Sequence, residues 1–121
     1  MAIQETERAT DRADIVATAL DYFEGWFDGN AERMDRALHQ ELAKRTIDTE
    51  TLTKQQMVDA TAAGRGKTRD PGGDRQIDVE VVDVYRSIAT AIVRSPVYHE
   101  YLHLVRTDDG WKILNALWEW A

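Results

Sequence analysis

The sequence predicts an α+β domain, with helices gathered at the N-terminal end and packed on one face of a strongly curved antiparallel sheet. Three observations carry this reading. Apolar residues recur at helical spacing in the first part of the chain. Four alternating runs joined by short turns fill residues 76–120. A Val81-Val82 doublet breaks the alternation of the first run, marking a bulge and therefore curvature.

The first helix is predicted over Ala13–Phe27, where Ile15, Val16, Ala19, Leu20, Tyr22, Phe23, Trp26 and Phe27 form one wide apolar face. Asp11 is its expected N-cap, and Gly25 or Gly29 with Asn30 ends it. Asn30 then caps a short second helix with Met34, Ala37 and Leu38 turned inward. Leu42–Ile47 is a short candidate strand. Thr53 and Gln56 form a capping box, and Leu52 with Met57 supplies the hydrophobic staple, so a third helix starts there and stops at Gly64. Gly64–Asp74 (GRGKTRDPGGD) reads as a loop, expected to be mobile. Strands follow over Gln76–Tyr85, Ser87–Arg94, Val97–Arg106 and Trp111–Trp120, and residues 1–10 are expected to form a flexible tail.

At 121 residues and 43% hydrophobic content the chain is one globular domain, 1–121, able to bury a core without staples. Without cysteine there is neither a disulfide framework nor a thiolate metal site. The N-terminal segment lacks an apolar signal core and no run approaches a membrane span, so a soluble cytoplasmic protein is the expectation. A net charge of −7 argues against nucleic acid. The cationic cluster Arg65, Lys67 and Arg69 reads as a solvated loop. GRGKT at Gly64–Thr68 is no phosphate-binding loop, because Thr61 stands where the leading glycine belongs and the segment follows a helix. His99 and His103 share a strand face but lie ~13 Å apart, too far to chelate one metal. No metal and no cofactor are expected.

The hairpin VYHEYLHLVR-TDDG-WKILNALWEWA sets polar groups among aliphatics, and buried polar groups demand hydrogen bonds. The Asp-Asp-Gly turn favours a three-residue loop with a bulge and Gly110 in the left-handed region. Thr107 then opposes Trp111, and His103 opposes Asn115. One face carries His99, Tyr101, His103, Val105, Ile113, Asn115 and Leu117. The other carries Leu102, Leu104, Leu114, Ala116, Trp118 and Trp120. A helix layer on one face and a second subunit on the other would cover both. Among the sheet acids, Asp78 and Glu80 are expected to meet solvent, while the bulge leaves the direction of Asp83 open.

The segments DYFEGWFDGNAERMDRALHQELAKR (Asp21–Arg45) and YHEYLHLVRTDDGWKILNALWEW (Tyr98–Trp120) resemble the NTF2-like superfamily with its SnoaL-like cone, and within it the subgroup catalogued as putative lumazine-binding proteins. That subgroup shows a Tyr-Phe-x-Gly-Trp helix, an acidic Gly-Asp/Asn turn, Leu-His-Pro leading into the first strand, and Asp-Tyr-Leu-x-Leu before Gly-x-Trp-Lys-Ile-x-Asn. Gln40 departs from it where proline is usual, and Glu100 replaces the common aspartate. The Tyr/Asp/Asp set of ketosteroid isomerases and the Asp-Arg-Asp set of epoxide hydrolases are both absent.

The resemblance implies a cone of three helices wrapped by a curved sheet, a pocket between the helices and the concave face, and homodimers formed through the sheet. Carried over by position, Tyr22, Trp26, Arg45 and Tyr101 are ligand-binding candidates and His103, Asn115 and His39 catalytic ones, with Leu38, Leu42, Met57 and Val58 sealing the narrow end. Three functions stay open. One is cofactor-independent acid–base chemistry (dehydration, isomerisation or cyclisation) on a small apolar or aromatic substrate, with His103 as base, held by Asn115 or Tyr101, and Arg45 or His39 polarising a carbonyl. Another is non-catalytic binding of an aromatic small molecule against Trp26 and Tyr101. The last is a dimeric scaffold with a vestigial pocket.

Overall fold

A computed structural model describes the backbone of residues 2–121 and the side chains from residue 9 onward. The helices are α1 (Ala2–Asp28), α2 (Ala31–Ala37) and α3 (Lys54–Ala62); the strands are β1 (Leu38–Arg45), β2 (Asp78–Tyr85), β3 (Ile88–Arg94), β4 (Tyr98–Thr107) and β5 (Gly110–Trp120). The sheet order is β1-β5-β4-β3-β2. β2 to β5 form the expected antiparallel meander, but β1 lies parallel to β5, so the sheet is mixed rather than wholly antiparallel. A chain that passes from α2 directly into an edge strand reaches β5 in that direction.

α1 begins well before Ala13, so Asp11 is not its cap. The Asp11 carboxylate instead accepts from Trp111 Nε1 at 3.1 Å and pairs with Arg106, tying the helix to the hairpin. The expected tail over residues 1–10 falls mostly outside the residues whose side chains are described. Asn30 caps α2 by accepting from the Arg33 amide, and Met34 and Ala37 turn inward. The Thr53/Gln56 capping box is complete, which explains why α3 starts where it does. β1 covers Leu38–Arg45 rather than Leu42–Ile47 and bulges between Leu38 and Ala43.

The core is one layer between the helices and the concave face of the sheet. Ile15, Ala19, Phe23 and Phe27 of α1 meet Ala91, Val93, Leu102, Leu104 and Ile113 of the strands, while Met34, Leu38, Leu42 and Met57 fill the end under α2 and α3. Burying side chains of this size supplies about 1.5–3 kcal/mol each, which is what holds the layers together. The predicted bulge is present: β2 and β3 slip register between Val81 and Asp83. Asp83 is exposed, and Asp78 and Glu80 meet solvent, paired with Arg94.

A second bulge corrects the reading of the hairpin. Thr107 pairs with Gly110 and Arg106 with Trp111, so the loop is the two residues Asp108 and Asp109. Gly110 does take φ +100°, a conformation cheap only for glycine. Register then shifts at Leu114, restoring His103 opposite Asn115. Because of that extra residue, Ile113 and Ala116 both face the helices, and strict alternation fails.

The faces are therefore assigned by burial and not by polarity. Leu102 and Leu104 are sealed beneath the protein's own helices, whereas His103, Asn115, Tyr101 and Leu117 lie on the convex side in solvent. The two leucines cannot contribute to a subunit contact, and the His103–Asn115 pair is not on the concave face. The greasier side of the hairpin goes inward because that side removes more apolar area from water. Among the described residues, no helix is long and apolar enough to cross a membrane.

Candidate functional site

Strand alternation that places Leu102 and Leu104 in the core carries two neighbours with it, Glu100 and Tyr98, on the same side of β4. On β1 the same rule turns Lys44 inward with Leu42. The backbone of Lys44 is clamped by paired hydrogen bonds with Leu52, at 3.0 and 2.7 Å, just ahead of the α3 cap. Tyr22 and Trp26, one helical turn apart on α1, face these strands. The result is a polar cluster inside an aromatic wall near the open end of the cone.

Its centre is Glu100, only 2% exposed. The Tyr22 hydroxyl donates to Glu100 Oε1 at 2.7 Å, and Lys44 Nζ stands 3.8 Å from Oε2. Lys44 Nζ also sits over the rings of Tyr22, Trp26 and Trp118, at 4.9, 5.8 and 5.7 Å from their centroids. Trp26 Nε1 donates to the Tyr98 hydroxyl at 3.0 Å. Tyr98 in turn stacks on Trp120 and meets Trp118 edge-on.

Burial dominates the electrostatics. It pushes the Tyr22 phenol well above its usual range, helped by the negative charge and hydrogen bond of Glu100. Burial also lowers the Lys44 ammonium from its usual value, with the Glu100 charge opposing. The Tyr98 phenol is raised by burial, against the hydrogen bond from Trp26.

Beside this cluster opens a cavity of about 480 Å³. Trp26, Lys44, Tyr98, Trp118 and Trp120 line its inner side, and Leu52 and Met57 its floor. The segment after α3 supplies the rim with Arg65, Thr68 and Arg69. Gly66 sets the position of that rim. A Cβ there would collide with the Trp26 carbonyl oxygen and fall 2.6 Å from its ring, so the loop is pressed directly on α1. A short 3-10 turn, Lys67–Arg69, follows and lays the Arg69 guanidinium over the Trp120 ring at 4.7 Å.

The predicted site residues separate into two groups. Tyr22 and Trp26 belong to the interior cluster and the cavity wall. Tyr101, His103, Asn115 and Arg45 lie on the convex side, where Asn115 Nδ2 and His103 Nδ1 are 3.4 Å apart and exposed. A groove of about 780 Å³ runs there past Arg45, His99, Tyr101, Leu117 and Trp120. His39 is on β1, its Nδ1 accepting from the Glu41 amide. The three proposed catalytic side chains thus do not converge on the cavity that holds Tyr22 and Trp26. Lys44, Tyr98, Glu100, Arg65, Arg69 and Trp118 were missed. The available signal was alternation: Glu100 stands two residues from Leu102, and Lys44 two from Leu42. Among the described residues, no cluster of three or more His, Asp or Glu is placed to hold a metal.

Residues 10–119 match the family described as "Putative lumazine-binding". The fold is similar to that of an NTF2-like protein of unknown function from Shewanella baltica, with 13% identity, 93% of this chain and 95% of the other covered, and a TM-score of 0.72. An NTF2-like protein with a cystatin-like fold from Novosphingobium aromaticivorans aligns with 16% identity, 97% and 86% coverage and a TM-score of 0.74. A ketosteroid isomerase-like protein from Erwinia carotovora atroseptica aligns with 14% identity, 89% and 94% coverage and a TM-score of 0.67. At these identities the likeness is one of fold. No curated protein matches the chain.

Proposed function

The chain belongs to the family described as "Putative lumazine-binding", and we propose that it binds a planar aromatic small molecule in the cavity at the mouth of its cone. The observation that carries this is Lys44. An ammonium has three N–H donors, yet among the described residues the Lys44 ammonium makes no hydrogen bond and its one ion pair is with Glu100 at 3.8 Å, while the side chain borders the cavity. A ring carbonyl or heteroatom of a ligand would take a vacant donor while its plane packs on Trp26 or Trp118. Lumazine, a flat bicycle with two ring carbonyls, has the required shape and acceptors.

A second reading, acid–base turnover of such a ligand, is favoured by the short Tyr22–Glu100 hydrogen bond beside Lys44. In that reading Lys44 and Glu100 would act, in place of the histidines. The convex face, with Tyr101 and Leu117 each half exposed, is proposed as the surface of a homodimer. The Asn115–His103 pair would then be an interface contact. A cytoplasmic setting is part of the same proposal.

Tryptophan fluorescence quenching with lumazine tests the binding reading, because Trp26 and Trp118 border the cavity. Saturable quenching that disappears in Lys44→Met supports it. Unchanged affinity in Lys44→Met, or no quenching at all, overturns it.

A further inference from the structure

The segment that the sequence presents as a solvated basic loop supplies the rim of the cavity, and the two arginines it places there are not neutralised by a carboxylate among the described residues. Arg33, Arg36, Arg75, Arg94 and Arg106 each hold a carboxylate within ion-pair distance. Among the described residues, neither Arg65 nor Arg69 does. Arg69 lies on the Trp120 ring, and Arg65 borders both this cavity and its neighbour under α3. The third basic residue of the loop points elsewhere, since the Lys67 stem packs against Gly29.

The cavity is therefore lined by three cations, Lys44, Arg65 and Arg69, and by no carboxylate. Glu100 lies behind Lys44, buried and outside the cavity lining. Asp59, on the neighbouring cavity, already accepts a hydrogen bond from Gln55. In a chain of net charge −7, a mouth of this sign is a local reversal. Two guanidiniums beside an aromatic wall match a ligand whose flat ring enters the cone and whose anionic group stays at the rim; the Thr68 hydroxyl donates to the Arg65 carbonyl oxygen at 2.7 Å and takes no part. Guanidinium forks recognise planar or tetrahedral oxyanions with paired hydrogen bonds.

We propose that the ligand of this cavity is an aromatic anion, its carboxylate or phosphate held at the mouth by Arg65 and Arg69 while its ring packs on the tryptophans. This rests on the binding reading above and adds the charge. The rim provides selectivity between ligands of the same ring system, and Lys44 provides a contact common to all of them. Because both arginines are exposed, the preference should weaken with salt.

The test measures calorimetric affinity for two matched pairs: lumazine against lumazine-6-carboxylate, and 2-naphthol against 2-naphthyl phosphate. The anionic member of each pair is expected to bind at least about tenfold tighter at low salt, with the margin shrinking as salt rises. In the double variant Arg65→Gln/Arg69→Gln the margin between the anionic and neutral member of each pair should fall to within about twofold. Arg69→Lys should keep part of it, and Arg86→Gln, remote from the cavity, all of it. If the neutral probes bind and the anions gain nothing, the charge assignment falls and the binding reading stands. If none of the four binds, both fall. If only the phosphate or only the carboxylate gains, the rim is assigned to that oxyanion.

Discussion

Removing the charge of Glu100 without removing its shape isolates what holds the polar cluster beside the cavity together. Glu100→Gln leaves an acceptor for the Tyr22 hydroxyl but deprives Lys44 of the one carboxylate that, among the described residues, pairs with it, 3.8 Å away. Breaking a buried ion pair costs about 3–5 kcal/mol, since the remaining charge stays desolvated. The lower end applies here because Lys44 borders the cavity and can regain some hydration. A loss of about 3 kcal/mol is a large share of the 5–15 kcal/mol typical of a domain, and roughly a 10 °C fall in Tm. Lys44→Met strands the opposite charge and should cost about as much. The double variant strands neither and is expected within about 1–2 kcal/mol of the native chain, more stable than either single change. Urea unfolding at pH 7 with a shared m-value reads all four corners of the cycle. Additive effects, or a Glu100→Gln cost under about 1 kcal/mol, would refute the view that the two charges stabilise each other.

Tyr22→Phe should cost about 1–3 kcal/mol by leaving a Glu100 oxygen unsatisfied. Because the folded Tyr22 phenol keeps its proton above pH 10, where the unfolded chain loses it, stability falls with rising pH there, and that fall should shrink in the variant. Lys44 acts in the opposite sense: the unfolded chain holds the proton longer, so its contribution rises with pH through the window below 10.5, and Lys44→Met should abolish that rise in urea titrations. At the acid end, burial raises the Asp21 carboxyl, but Arg36 and Arg33 outweigh it and hold the group below 3.8. Its stabilisation is present above 3.8 and lost as pH falls through the lower folded value, so Asp21→Asn should flatten the acid limb of the stability curve. Gly66→Ala must push the rim off Trp26, and overpacking of this kind costs about 1–3 kcal/mol; ligand affinity measured by tryptophan quenching should fall with it. Leu117→Asp, on the convex face, should dissociate the proposed dimer in sedimentation without lowering monomer helicity.

Several elements follow from local chemistry and were readable from the chain. The Thr53/Gln56 box, the Asn30 cap, the Val81–Asp83 bulge and the positive φ of Gly110 each depend on residues within a few positions of one another. The family is legible too, because its motifs are contiguous in Asp21–Arg45 and Tyr98–Trp120. The direction of β1 is a different matter. Nothing in Leu38–Arg45 tells a parallel from an antiparallel edge, which depends on where α2 leaves the chain relative to β5.

The sequence by itself determined the alternation of the hairpin, and so the company that Glu100 and Tyr98 would keep. Only the tertiary structure decided which side of that hairpin faces the helices. A bulge at Leu114 shifts every later residue of β5 by one place, and the buried area under α1 selects the leucine side over the His103–Asn115 side. The same holds for the basic loop. Composition marks Arg65, Lys67 and Arg69 as solvated, and they are exposed; that Gly66 presses this loop on Trp26 and turns two of its three charges toward a cavity depends on contacts forty residues apart in the chain. Local propensity acts over a few residues, whereas the sign of a cavity's charge is set by whichever distant segments packing brings to its rim.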